Sequence, residues 1–191
     1  MAEFVQDYAF VRWPVVVAFV LAAGIVAVRL TRRAVPVGRG DAAADSAHLL
    51  MCLVMLVMLV FPAGADPHAV RGVLVALTVA YAALLLERVV RWRTGIETPD
   101  GVLALGYHTV AAAAMLYAMG AHGADVPVWP MLALALLFTV DALLAFGIAG
   151  HRPRWHRFVH PPGTHPLTSA LVPHVVMDIG TAFMLIAAVG G

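Results

Sequence analysis

Three hydrophobic stretches share one spacing of histidine and methionine: SAHLLMCLVMLVM at 46–58, GYHTVAAAAMLYAM at 106–119 and VPHVVMDIGTAFM at 172–184. The full pattern, His-x2-Met-x3-Met-x2-Met, occurs in the first stretch, and the other two keep part of it. Offsets of three, seven and ten residues lie on one stripe of an α-helix. Each stretch therefore predicts a helix with a His/Met face.

The composition around these stretches is that of a membrane protein. Of 191 residues, 62% are hydrophobic and only 12% are charged, with a mean hydropathy of +0.91. Soluble domains average about 25% charged residues. We predict an all-α, polytopic membrane protein that forms a single bundle over 1–191. Its six transmembrane helices are predicted at about 13–30, 45–63, 69–90, 101–121, 128–149 and 169–189, each near the roughly 20 residues that a bilayer requires.

The arginines are concentrated in three of the predicted connections. Of the twelve, four follow the first span, three follow the third and three follow the fifth. Because cytoplasmic loops of membrane proteins carry an excess of Lys and Arg, these connections are predicted to be cytoplasmic. Both termini are then outside, and the expected location is a bacterial plasma membrane, in contact with the lipid bilayer.

The start of the second span offers two candidate N-cap residues, Asp41 and Asp45. An N-cap Asp accepts hydrogen bonds from the first free N–H groups of its helix. The fourth and sixth spans also have candidate N-terminal residues just before them. Measured from these helix starts at 1.5 Å per residue, the histidines of all three stretches are predicted to lie about 10 Å inside the cytoplasmic ends.

The sequence also suggests an internal repeat. The three histidines, His48, His108 and His174, are separated by 60 and 66 residues. Each unit consists of an inward-running helix, an Arg-rich connection and an outward-running helix with the His/Met stripe. Three such helical hairpins predict a pseudo-threefold bundle, a form of repeat that is common in membrane proteins. If the stripes face inward, the three histidines converge at one depth.

The chemistry of these stripes suggests a metal site. Imidazole nitrogen and thioether sulfur form a ligand set for a soft ion such as copper(I). Two acids lie deep in the fifth and sixth spans, where ionisable groups are costly and usually functional. A carboxylate can hold a ligand imidazole in place, Asp178 that of His174 and Asp141 that of His108 or His48. The candidate metal ligands are His48, Met51, Cys52, Met55, His108, Met115, Asp141, His174, Met177 and Asp178.

The same residues are also compatible with core packing, haem binding or transport. Methionine fills irregular gaps in packed cores, and intramembrane His and Asp side chains often bond to neighbouring helices with no metal. Two histidines on facing helices can hold haem b, with His108 opposite His48 or His174. Proton or solute translocation by the His/Asp set is a further alternative.

Motifs of known catalytic sites are missing from the sequence, including the P-loop, the nucleophile elbow and His-Glu-x-x-His. An enzyme is therefore not favoured, whereas a non-catalytic assembly or scaffold subunit with a membrane-protein partner fits. The net charge of +1 gives no indication of nucleic acid. The loop HRPRWHRFVHPPGTH at 151–165 is interpreted as a charged tether, with lipid headgroup or metal binding as alternatives.

The three His/Met stretches, with the Arg-rich connections between them, resemble a domain-of-unknown-function family of small actinobacterial integral membrane proteins. The resemblance rests chiefly on the complete pattern from His48 to Met58, on 108–119 and on 174–184. It implies a helical bundle in the plasma membrane, and it implies no particular activity. The second stretch departs from the pattern with Ala111 and Ala118, which leaves Met115 as its candidate thioether ligand.

Overall fold

The computed structural model describes residues 9–31, 39–61, 64, 66–96, 99–120, 127–147 and 167–190. These residues form six α-helices, each within a few residues of one predicted span except at the start of the second. The helices are α1 (Ala9–Thr31), α2 (Arg39–Val60), α3 (Pro67–Arg93), α4 (Pro99–Gly120), α5 (Trp129–Gly147) and α6 (Leu167–Gly190). The predicted all-helical class is confirmed. The loop at 151–165 lies outside the described residues.

Four of the helices, α1, α3, α4 and α6, are long enough and apolar enough to cross a membrane. Shorter apolar segments occur in α2, at Asp45–Val60, and in α5, at Trp129–Ala145. Large apolar side chains are exposed along all six helices, while histidines and acids are buried between them. An apolar exterior of this extent is unfavourable in water and favourable in lipid. The arrangement indicates a membrane protein.

Neighbours along the chain are neighbours in space. α1 packs most extensively against α2, α3 against α4, and α5 against α6. In addition, α2, α4 and α6 contact one another, and α1 contacts α6. The second helix of each pair therefore lies toward the centre of the bundle, and the three predicted stripes are on these central helices.

Each helix pair has a polar contact near the end at which the chain passes from its first helix to its second. The end of α1 is joined to α2 by an Arg29–Asp45 ion pair of 2.8 Å. The end of α3 is joined to the start of α4, where Arg88 Nη1 donates to the carbonyl of Gly101 at 3.0 Å. Asp141, late in α5, contacts His174, early in α6, at 2.7 Å. All three pairs are thus antiparallel.

The expectation that Asp41 or Asp45 caps α2 is wrong. The helix begins at Arg39, so both residues lie inside it. Asp45 is 3% exposed and its carboxylate binds the guanidinium of Arg29. A buried carboxylate needs a partner of opposite charge, and the arginine of α1 provides it.

One close approach fixes α6 against α1. Gly180 faces the fully buried ring of Phe19, and a Cβ at this position would overlap the end of that ring. The terminal carbon of Met55, from α2, also lies beside this position, 3.3 Å from where the Cβ would be. The missing side chain of Gly180 therefore allows α1, α2 and α6 to meet at one point.

Candidate metal centre

The three predicted stripes all face the interior of the bundle. Their twelve positions are at most 7% exposed. The twelve are His48, Met51, Met55 and Met58 in α2; His108, Ala111, Met115 and Ala118 in α4; and His174, Met177, Thr181 and Met184 in α6. The three stripes therefore point inward, as convergence of the three histidines requires.

Within the interior, His174 lies between two carboxylates. Its Nε2 is 2.7 Å from Oδ2 of Asp141 and 3.1 Å from Oδ2 of Asp178. His174 and Asp178 are one turn apart on α6 and both are fully buried, while Asp141 comes from α5 and is 9% exposed. Among the described His, Cys, Asp and Glu residues, these three form the one group whose ligand atoms all lie within 4.8 Å of one another.

Tyr107, from α4, completes the cluster. Its hydroxyl donates a hydrogen bond of 2.6 Å to Oδ1 of Asp178, and its ring centroid lies 5.2 Å from that of His174. The His/Met spacing did not indicate Tyr107 as a site residue. Its position in the sequence could have indicated this role. A tyrosine directly before His108 in an apolar helix is expected to be buried, and a buried tyrosine hydroxyl needs a hydrogen-bond partner.

The hydrogen bonds of the cluster leave one carboxylate oxygen unsatisfied. A carboxylate accepts hydrogen bonds, so the short contact to Asp141 places the imidazole proton on Nε2 of His174. That single proton is directed to Asp141. Oδ2 of Asp178 is buried and has no hydrogen-bond partner among the described residues, although it lies 3.1 Å from the same nitrogen. Lone pairs of two carboxylates therefore converge beside one imidazole nitrogen.

The charge of the cluster is also incompletely balanced. Within the described part of the chain, His174 is the one basic side chain in contact with Asp141 or Asp178. If both carboxylates are ionised, they carry two negative charges, whereas one imidazole supplies at most one positive charge. Because an uncompensated charge in a low-dielectric interior is costly, the cluster favours the binding of an additional cation.

The other two histidines form a separate pair. The ring centroids of His48 and His108 are 4.2 Å apart in an edge-to-face arrangement, and both side chains are buried. The three histidines thus lie in one region, but His48 and His108 do not belong to the ligand group of His174. With the two rings in contact, no porphyrin plane fits between them, so this pair does not favour haem held by His48 and His108.

The sulfur-containing candidates lie in the apolar core. Met51, Cys52, Met55, Met115 and Met177 are at most 1% exposed and pack in one cluster with aliphatic and aromatic side chains. Cys52 is a free thiol. Their burial agrees equally with core packing and with ligation, because methionine serves both purposes.

Comparison with known families gives one match. Residues 40–188 match the model of a family described as "Domain of unknown function (DUF5134)". The chain belongs to the DUF5134 family. The match extends over nearly all of α2 to α6 and includes the three stripes, Asp141 and Tyr107. No curated protein and no solved structure matches the chain. The resemblance to a domain-of-unknown-function family is confirmed.

Proposed function

We propose that this DUF5134 protein is an integral membrane protein that binds one divalent transition-metal ion through Asp141, His174 and Asp178. The observation that carries the proposal is the unsatisfied Oδ2 of Asp178. It lies beside His174 Nε2 in a buried cluster of two acids and one base. A metal ion would replace the Nε2 proton of His174; the tautomer with its proton on Nδ1 would then present an Nε2 lone pair beside those of the two carboxylates.

The donor set and its charge support a borderline divalent ion such as zinc. Carboxylate oxygen and imidazole nitrogen are both zinc ligands, with bond lengths of about 2.0–2.2 Å. Two carboxylates and a neutral imidazole together balance a charge of two. Tyr107 binds the other oxygen of Asp178 and would keep that carboxylate oriented toward the ion.

The membrane arrangement that we propose has all six helices crossing the bilayer. α2 and α5, with 22 and 19 residues, are near the roughly 20 residues needed. The three antiparallel pairs, with α2, α4 and α6 at the centre, support a pseudo-threefold bundle of hairpins. The arginine distribution supports cytoplasmic connections after α1, α3 and α5, with the metal centre in the cytoplasmic half.

Zinc binding by purified protein in detergent tests the proposal. We expect one tightly bound zinc ion per chain in the wild type. Asp178→Asn keeps the size of the side chain and removes one charge, so we expect zinc affinity to fall by at least about 100-fold, more than the loss of an outer-shell partner causes. Isothermal titration with zinc, after removal of metal with a chelator, measures both affinities.

The matched control is Glu87→Gln. Glu87 is an exposed acid on α3, 3.6 Å from Arg91, and is distant in the chain from the cluster. This change should leave zinc affinity unaltered. Equal zinc affinity in the wild type and Asp178→Asn would refute the proposed site, as would a wild type that binds no zinc, manganese or copper(II).

A further inference from the structure

Two helical turns beyond the histidines, the central helices present a second level of inward-facing donors. Position +7 from each histidine is Met55 in α2, Met115 in α4 and Thr181 in α6. All three side chains are 0% exposed. At 1.5 Å per residue this level lies about 10 Å from the histidines along the helix axes.

Contacts at the histidine level relate α4 to both α2 and α6, and one contact at the outer level relates α2 to α6. At the histidine level, His48 and His108 have ring centroids 4.2 Å apart, and Tyr107 and His174 have ring centroids 5.2 Å apart. At the outer level, the Met55 methyl carbon lies 3.3 Å from the position of a Cβ on Gly180, the residue before Thr181. In the proposed arrangement, on which this step rests, consecutive helices cross the bilayer in alternation, so α2, α4 and α6 run in the same direction and their +7 positions share one level.

Thr181 differs from three other threonines in the middle of helices. Thr78, Thr109 and Thr139 each donate to the carbonyl four residues earlier, at 2.7–2.8 Å. The Thr181 hydroxyl is fully buried and has no hydrogen-bond partner within the described part of the chain. Leaving a buried polar group without a partner is unfavourable, so this hydroxyl is available to a ligand.

We infer that Met55, Met115 and Thr181 form a second cation site, which binds copper(I). Thioether sulfur selects this soft monovalent ion over borderline divalent ions. The two methionines would provide the sulfur ligands and the Thr181 hydroxyl a weaker third donor. The site shares no ligand with the divalent centre and does not depend on it.

The alternative is that these methionines only fill the core. Leucine substitution separates the two roles, because Met-to-Leu exchanges preserve side-chain volume and are among the best tolerated core substitutions, but remove the sulfur. Met131 on α5 provides the matched control: it is 2% exposed and packs in the same core, but it lies outside the three stripes.

The experiment measures copper(I) affinity of the full chain in detergent, by competition with the chromogenic copper(I) chelator bicinchoninate. For Met55→Leu/Met115→Leu we expect affinity to fall by about 100-fold or more, because both soft ligands are lost. Met131→Leu should match the wild type. Zinc affinity should be unchanged in both variants, and Asp178→Asn should still bind copper(I), which distinguishes failure of this site from failure of the divalent centre.

Undiminished copper(I) affinity in the double variant would overturn the inference. A second measurement does not depend on how the variant folds. Copper X-ray absorption of the loaded wild type should show sulfur scatterers in the first shell. A first shell of nitrogen and oxygen alone would equally overturn the second site.

Discussion

Replacing Gly180 by leucine is expected to separate α6 from α1 and to destabilise the protein strongly. Gly180 faces Phe19, whose ring is fully buried and leaves no space for a Cβ. Overpacking typically costs about 1–3 kcal/mol for small additions, and a leucine adds four carbons. We expect a loss of about 3 kcal/mol or more, which corresponds to a decrease in Tm of roughly 6–12 °C for a chain of this size. Thermal unfolding in detergent measures it.

The matched control for this prediction is Gly24→Ala. Gly24 lies in α1 with no described atom within 4 Å of an added Cβ, so this change should be neutral or stabilising. Specificity is tested by Phe19→Leu combined with Gly180→Ala: shortening the ring should recover part of the stability that Gly180→Ala loses. Wild-type Tm in Gly180→Leu would show that the close contact of α1 and α6 is not required.

The second large effect is expected for His174→Ala. Among the described residues, the change removes the one basic group in contact with Asp141 and Asp178 and leaves two buried carboxylates side by side. Removing one member of a buried ion pair costs about 3–5 kcal/mol. We therefore expect a large decrease in Tm in metal-free buffer, together with the loss of zinc-dependent stabilisation. Thermal unfolding with chelator and with excess zinc measures both.

The loss of stability expected for His174→Ala should come from the unbalanced charge of the two carboxylates, and not from the lost volume of the imidazole. Adding Asp141→Asn to His174→Ala removes one of the two opposing charges and should recover much of the metal-free stability without recovering zinc binding. His68→Ala, at an exposed histidine of α3, should change neither quantity. A His174→Ala protein as stable as the wild type would indicate that the two carboxylates do not need a basic partner.

The helices and their inward faces could be predicted from the sequence because both depend on local properties. Hydropathy located every described helix, and the spacing of His48, Met51 and Met55 identified the face that the structure buries. The start of α2 was misplaced because Asp45 resembles an N-cap in sequence, whereas its partner, Arg29, belongs to the preceding helix.

The composition of the metal centre could be predicted only in part. Asp141, His174 and Asp178 were among the ten candidate ligands, and the structure brings these three together. The expectation that Asp141 holds the imidazole of His108 or His48 was wrong, since Asp141 contacts His174. That choice depends on how α5 packs against α6. Tyr107 was missed for a related reason: its long side chain reaches Asp178 on another helix, and a spacing rule within one helix does not detect such a contact.

Zinc X-ray absorption spectroscopy of the wild-type protein loaded with one equivalent of zinc tests the central claim most directly. The three ligands predict a first shell of oxygen and nitrogen at about 2.0–2.2 Å, with the scattering of a single imidazole. Asp178→Asn should abolish this signal at the same zinc concentration. A first shell containing sulfur at about 2.3 Å, or two or more imidazoles, would contradict a centre formed by Asp141, His174 and Asp178.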